Sequence, residues 1–155
     1  RMMIDSAGRV TMPYQPAFKI GYTSATGGDT GSDQDLTFKV QDQNIGGHYN
    51  STTGKFTAPV AGTYMFVFNL LMTGMGGGDY FEMFIKKNNS GAQNSVRNVY
   101  SSGSTGYGSY IAGSSVCQIP LSVNDFVNFQ YYKTGSTAVI HSSGSWSNYS
   151  GHLIG

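Results

Sequence analysis

Thr53-Gly54-Lys55-Phe56-Thr57-Ala58-Pro59-Val60-Ala61-Gly62-Thr63-Tyr64-Met65-Phe66-Val67-Phe68-Asn69-Leu70 is the stretch whose reading decides the fold. From Thr57 to Leu70 it predicts a strand with a bend at Gly62. After the bend, Tyr64, Phe66, Phe68 and Leu70 fall on one face and Met65 and Val67 on the other. A strand with one wet face alternates apolar with polar residues, whereas this one is apolar on both. One sandwich core accounts for a single face. Contact between subunits is expected to cover the other.

The same pattern recurs outward. Phe81, Met83 and Ile85 share a face opposed by Tyr80 and Phe84, and Val127, Phe129 and Tyr131 share one opposed by Phe126. Residues 17–22, 36–40, 116–121, 126–132, 137–141 and 149–154 also read as strands, and residues 49–56 enclose a turn at Gly54. A polar loop spans 23–35, and 88–115 reads as loop-rich. Eight to ten short strands at turn spacing, with no helix pattern, predict an all-β jelly-roll β-sandwich. The 155 residues suit one domain, and the 22 glycines, 14% aromatic and 11% charged residues agree with strands and turns.

Composition also excludes. A net charge of +1 without a basic run argues against nucleic acid as a partner. No stretch approaches the ~18 apolar residues of a membrane-spanning segment, so direct membrane insertion is not expected. The single cysteine, Cys117, reads as a buried inert thiol.

Asn44, Tyr49-Asn50, Thr53-Gly54-Lys55-Phe56-Thr57-Ala58-Pro59 and Gly62-x-Tyr64-x-Phe66-x-Phe68 resemble the globular-head family of complement component 1q. Phe18, Lys86-Lys87-Asn88, Leu121 with Asp125 and Val127, and the closing Tyr149-Ser150-Gly151-His152-Leu153-Ile154 extend the likeness over residues 17–155. Two positions depart from it: Asn124 stands for the turn glycine before Asp125, and Tyr149 for a phenylalanine. Asn tolerates positive φ, so the turn is expected to survive. The resemblance implies a ten-stranded jelly roll, akin to tumour-necrosis-factor ligands, packed as a homotrimer. It also implies a structural core of Phe18, Tyr49, Phe56, Pro59, Gly62, Tyr64, Phe66, Phe68, Val127, Tyr149, Gly151 and Leu153.

Residues 1–16 form a separate N-terminal segment, a small turn flanked by Ile4 and Val10 and then interrupted by Pro13 and Pro16. Arg1-Met2-Met3-Ile4-Asp5-Ser6-Ala7-Gly8-Arg9-Val10 resembles Arg-Met-x-Ile-Asp-Ser-x-Gly-x-Val segments of bacteriophage tail and fibre proteins, notably marine ones. That resemblance implies a fibre tip, with 1–16 joining an upstream shaft or stalk.

Catalysis is not expected. His48, His141 and His152 lack zinc-type spacing, no Gly-x-Ser-x-Gly elbow occurs, and the eight carboxylates single out no catalytic pair. Asp29, Asp33 and Asp35 share one Gly-rich loop whose oxygens could hold calcium, although the spacing is not that of an EF-hand. Tyr100, Tyr107 and Tyr110, set among Ser and Gly over 98–115, resemble an antibody contact loop, and Trp146 is a further stacking candidate. The reading that follows is a non-enzymatic trimeric head at a phage fibre tip, binding host-surface glycan or protein. A secreted animal innate-immune lectin and a purely structural trimerisation cap are the alternatives. If the aspartate loop holds calcium, a chelator lowers the melting temperature and calorimetry registers heat on calcium addition; silence in both removes the site.

Overall fold

The computed structural model describes residues 2–12, 14–22, 31, 33–38, 40–90, 95–103 and 110–155. Among these residues the chain forms β-strands and no helix. A two-residue hairpin of β1 (Met3–Ile4) and β2 (Val10–Thr11) precedes the body. The Asp5 carboxylate closes its turn by accepting the Ala7 and Arg9 N–H groups at 2.9 and 3.0 Å.

The body is two antiparallel sheets packed face to face. The first contains β3 (Ala17–Gly21), β5 (Val40–Ile45), β8 (Gly62–Thr73), β11 (Tyr110–Leu121), β13 (Val139–Ile140) and β14 (Asn148–Leu153). Its order is β11-β8-β14-β3-β5, with β13 beyond β14 on the same edge of β8. The second contains β4 (Gln34–Asp35), β6 (Tyr49–Asn50), β7 (Lys55–Thr57), β9 (Tyr80–Lys87), β10 (Ser95–Ser101) and β12 (Phe126–Lys133). Its order is β10-β9-β12-β7-β6, with β4 on β12. The chain crosses between sheets at β3–β4, β4–β5, β5–β6, β7–β8, β8–β9, β10–β11, β11–β12 and β12–β13, which is the jelly roll.

The core is aromatic. Phe18, Phe56, Phe66, Phe68, Phe129 and Tyr149 interleave from the two sheets and are buried. Tyr149 lies at the centre, with its ring 4.0 Å from Phe129 in a stacked pair and edge-on to Phe38 at 4.6 Å. Such pairs add about 0.5–1.5 kcal/mol each beyond area burial. The Tyr149 and Tyr49 hydroxyls hydrogen-bond each other inside the core. Burial pushes the Tyr49 phenol up to about 12. Gly151 stands between Phe18 and Phe66 on the flanking strands. A Cβ there would lie 2.5 Å from the Phe66 ring and 2.8 Å from Phe18, so only glycine lets both rings close over the strand. Of the family positions, Pro59, Gly62 and Leu153 are only half-buried, at the end where the N-terminal segment joins.

Turn chemistry follows the quoted motif. Asn44 closes the turn before Tyr49 by a reciprocal pair, accepting the Tyr49 N–H at 3.0 Å and donating to its carbonyl at 2.9 Å. Asn50 accepts from the Thr52 and Thr53 N–H groups. Asn124 takes φ 68°, as its place in the turn requires. Next to it Asp125 is held down to about 2 by Lys87 at 2.8 Å and by the Asn88 amide.

Three expectations are corrected. Residues 36–38 are not a strand: the chain there crosses from β4 in the second sheet to β5 in the first. Leu36 and Phe38 are buried by that crossing, which imitates strand periodicity. The strand expected over 57–70 is two, β7 and β8, in different sheets, with Ala58–Ala61 as the crossover. The loop expected over 98–115 is largely sheet, since β10 and β11 occupy Ser95–Ser101 and Tyr110–Leu121. Backbone pairing with β9 and β8 there outweighs a Ser- and Gly-rich composition. Cys117 is half-buried against the core, and burial pushes its thiol up to about 11.

Gly151→Ala is expected to cost about 2–3 kcal/mol through overpacking, read as a lowered melting temperature. Tyr149→Phe should cost under about 1 kcal/mol, because the Tyr49 hydroxyl retains the Phe38 carbonyl 3.3 Å away.

Candidate binding groove

Two of the aromatic residues singled out from sequence meet in space. Tyr110 opens β11, opposite Thr73 at the end of β8. Trp146 lies in the connection between β13 and β14, on the other edge of β8. Both are well exposed, at 61% and 60%. His141 stands between them, its ring 5.7 Å from Tyr110 and 6.5 Å from Trp146. With Leu71 as a buried apolar base, these residues line a groove of about 380 Å³. That volume is at the small end of ligand sites, which run from roughly 300 to 1,000 Å³.

The connection carrying Trp146 is tied down. His141 N–H donates to the Leu71 carbonyl at 2.8 Å, and Trp146 and Ser147 N–H both return to the Ser143 carbonyl, at 3.0 and 2.9 Å. The buried Ser147 hydroxyl accepts the Leu71 N–H at 3.1 Å, and its carbonyl accepts the Tyr22 N–H. Gly144 packs on Gly21 so closely that a Cβ on Gly21 would lie 2.9 Å from the Gly144 Cα. The indole therefore sits on a segment hydrogen-bonded to both β8 and β3.

A polar strip adjoins the groove on the same face of the first sheet. Ser114, Asn69 and Asn148 are direct cross-strand partners on β11, β8 and β14. The Ser114 hydroxyl bonds the Asn69 carbonyl oxygen, and the Asn69 amide donates to Asn148 at 3.1 Å. Asn148 donates in turn to the Gly144 carbonyl at 3.1 Å. His141 Nδ1 is buried and has no hydrogen-bond partner among the described residues.

The other sequence candidates go elsewhere. Tyr100 stacks on Phe81 at 5.0 Å, and its hydroxyl donates to the Ser114 carbonyl and accepts the Ser114 N–H at 2.8 Å. It clamps β10 to β11 across the two sheets and does not line the groove. Tyr107 lies outside the described residues. Asp33 pairs with Lys86 at 2.9 Å, and Asp35 accepts from Asn128 and Gln130 at 2.8 and 2.6 Å. Asp29 lies outside the described residues. Among the described residues no cluster of three His, Cys, Asp or Glu is placed for a metal. Sequence reasoning missed His141, whose single signal was an apolar strand ending at a histidine.

A larger cavity, of about 500 Å³, lies at the opposite end. Met2, Met12, Tyr14, Val60 and Ile154 line it, where the N-terminal segment meets the C-terminus. The twelve residues of β8 separate the two ends by about 36 Å.

A family model described as the C1q domain matches residues 17–154. The chain belongs to the C1q family. The globular domain of the zebrafish complement 1qA protein is 17% identical, with 91% of this chain and 98% of that one covered at a TM-score of 0.66. Murine APRIL is 10% identical over 90% of this chain and 99% of its own, with a TM-score of 0.67. The Eiger TNF of S. frugiperda is 9% identical over 91% and 93%, with a TM-score of 0.63. At these identities the structural likeness establishes the shared jelly roll.

Ser147→Ala is expected to cost about 1–2 kcal/mol, since it leaves the buried Leu71 N–H unpaired. Thermal melting reads the loss. Acrylamide quenching of Trp146 should rise as its segment loosens, and unchanged quenching would show the segment to be held without this bond.

Proposed function

We propose that this chain is a non-enzymatic, homotrimeric recognition head whose distal groove binds host-surface glycan or protein. The observation that carries the reading is the position of the groove. Tyr110, His141 and Trp146 lie at the end of the first sheet opposite the N-terminal hairpin. A chain fixed through its N-terminus to a shaft would present that end outward. A rigid sandwich with exposed aromatic plates at its tip suits recognition.

The trimer is supported by the outer face of the first sheet. Met65 and Val67 of β8 line up there with Val116 of β11, which is 62% exposed. Joining three copies through this face would cover the second apolar side of β8 and gather three grooves at one tip. Three weak sites on one rigid body then bind a dense surface by avidity. The phage reading rests on the sequence of residues 1–10; Met3–Ile4 and Val10–Thr11 pair as a hairpin, with exposed Met2, Met3 and Ile4 able to pack on a shaft. The chain would then belong to the virion. That exposed hairpin also favours a second reading, a structural cap that registers a fibre and binds nothing.

The combined variant Tyr110→Ala with Trp146→Ala should reduce adsorption to host cells at least about tenfold while sedimentation still reports a trimer. Unchanged adsorption removes the groove and leaves the structural cap. A monomer of the unmodified chain at micromolar concentration overturns the trimer.

A further inference from the structure

The end of the sandwich opposite the groove carries an apolar surface that one copy of the chain does not cover. Met2, Met12, Tyr14, Val60 and Ile154 line the cavity of about 500 Å³ there, and each is between 43% and 76% exposed. No Asp, Glu, Lys or Arg lines it. A contiguous exposed patch of this kind marks an interaction surface.

The hairpin beside the cavity is covered on one side only. Side chains alternate across a strand, so Met2 and Ile4 share a face and Met3 takes the other. Met2 lines the cavity together with Met12, whereas Ile4, one step further along the same face, is 62% exposed. The apolar face that starts in the cavity therefore runs past it as an overhang. Among the described residues no hydrogen bond joins residues 2–12 to the sandwich. The hairpin is held by its own ladder and by the Asp5 turn. Two such short strands are marginal in water by themselves, so the overhang needs a second surface.

We infer that this cavity is a socket between copies of the chain. In the trimer, the Ile4 overhang of one copy closes the cavity of the next, seated against Tyr14, Val60 and Ile154, and the three hairpins form a ring at the base. The inference rests on the homotrimer reading, and on neither the groove's ligand nor the shaft. Three features select a second copy as the occupant. The first is continuity. The Ile154 N–H donates to the Thr63 carbonyl at 2.8 Å, and Thr63 stands two residues before Met65 on the same face of β8. The partly exposed surface of Val116, Val67 and Met65 thus passes through Ile154 into the cavity, and a copy laid over the first sheet reaches its rim.

The second feature is charge. Copies around one axis bring identical side chains together, and like charges there repel. The cavity wall carries no fixed charge, and Asp5 and Arg9 of the hairpin pair with each other at 2.6 Å. The third is that overhang and socket are different patches of one molecule. Such a contact is heterologous, and it closes into a ring when its rotation divides the circle. Met3, on the other face of the hairpin, stays outside the contact. A fatty acid fits less well, because its carboxylate would meet a wall without Lys or Arg.

The test introduces cysteines into a chain in which the single native thiol is removed by Cys117→Ala. Ile4→Cys with Val60→Cys, oxidised as the assembled trimer, should run on a non-reducing gel mainly as covalent trimer, because each disulfide links one copy to the next. Either substitution alone should give little crosslinked product. A disulfide within one copy migrates as monomer and overturns the inference. So does efficient crosslinking of Ile4→Cys alone, which would mean that the hairpins meet one another and not a cavity. In the otherwise unmodified chain, Ile4→Glu and Val60→Glu should each raise the concentration of half-dissociation at least about tenfold by sedimentation, with near-ultraviolet circular dichroism retained. Dissociation unchanged by both substitutions overturns the inference. Saturable uptake of a fluorescent fatty acid by the intact trimer also does so, since the cavity would then be open. If the unmodified chain sediments as a monomer, the homotrimer reading falls and takes the socket with it; a trimer that fails these tests brings down the socket alone.

Discussion

The packing of Tyr149 against both sheets is the constraint on which the rest of the structure depends. Its ring stacks on Phe129 of the second sheet at 4.0 Å and meets Phe18, Phe38, Tyr49 and Phe68 within 6.2 Å. Tyr149 is on the last strand, and that strand is inserted between β3 and β8. The first sheet is therefore incomplete until the C-terminus arrives. Most contacts join residues distant in sequence, so little of the body can form before the long-range pairings do. Gly151, two residues on, is the condition for that insertion, because Phe18 and Phe66 occupy the space a side chain would need.

The groove is a consequence of the same insertion. Where β14 ends its pairing with β8 at Asn69, β13 continues along the edge of β8 to Met72 and Thr73. The chain between them has to leave the sheet and return within a few residues. Ser143, Ser147 and the contact of Gly144 with Gly21 hold that excursion in one shape. Trp146 is its exposed apex. On the opposite edge, β11 begins at Tyr110 level with the same end of β8. Aromatic residues thus flank the tip of one strand, and the backbone hydrogen bonds of the first sheet preorganise them.

Much of this was legible. The two-sided apolar pattern of residues 64–70 located β8 and its face toward the core, and the glycine, asparagine and proline positions of the quoted motif marked real turns. Tyr110 and Trp146 were recognised as contact candidates by residue type alone. The failures have a common physical cause. Leu36 and Phe38 alternate as a strand does, yet they are buried by a crossing between sheets, which periodicity cannot distinguish from pairing. Residues 98–101 and 110–115 carry weak strand propensity, yet β9 and β8 offer them open edges. Tyr100 looked equivalent to Tyr110, but its hydroxyl is committed to Ser114.

The amino-acid sequence by itself determined the class of fold and the family. Local alternation, turn residues and the matched motif act over a few residues and need no knowledge of what lies opposite. Only the tertiary structure decided which aromatic residues are available to a ligand. Tyr110, His141 and Trp146 are separated by up to 36 positions, and their meeting depends on β11 and β13 choosing opposite edges of one strand. That choice is made by long-range pairing and core packing. It left Tyr110 and Trp146 facing water, with His141 between them and neutral amides alongside.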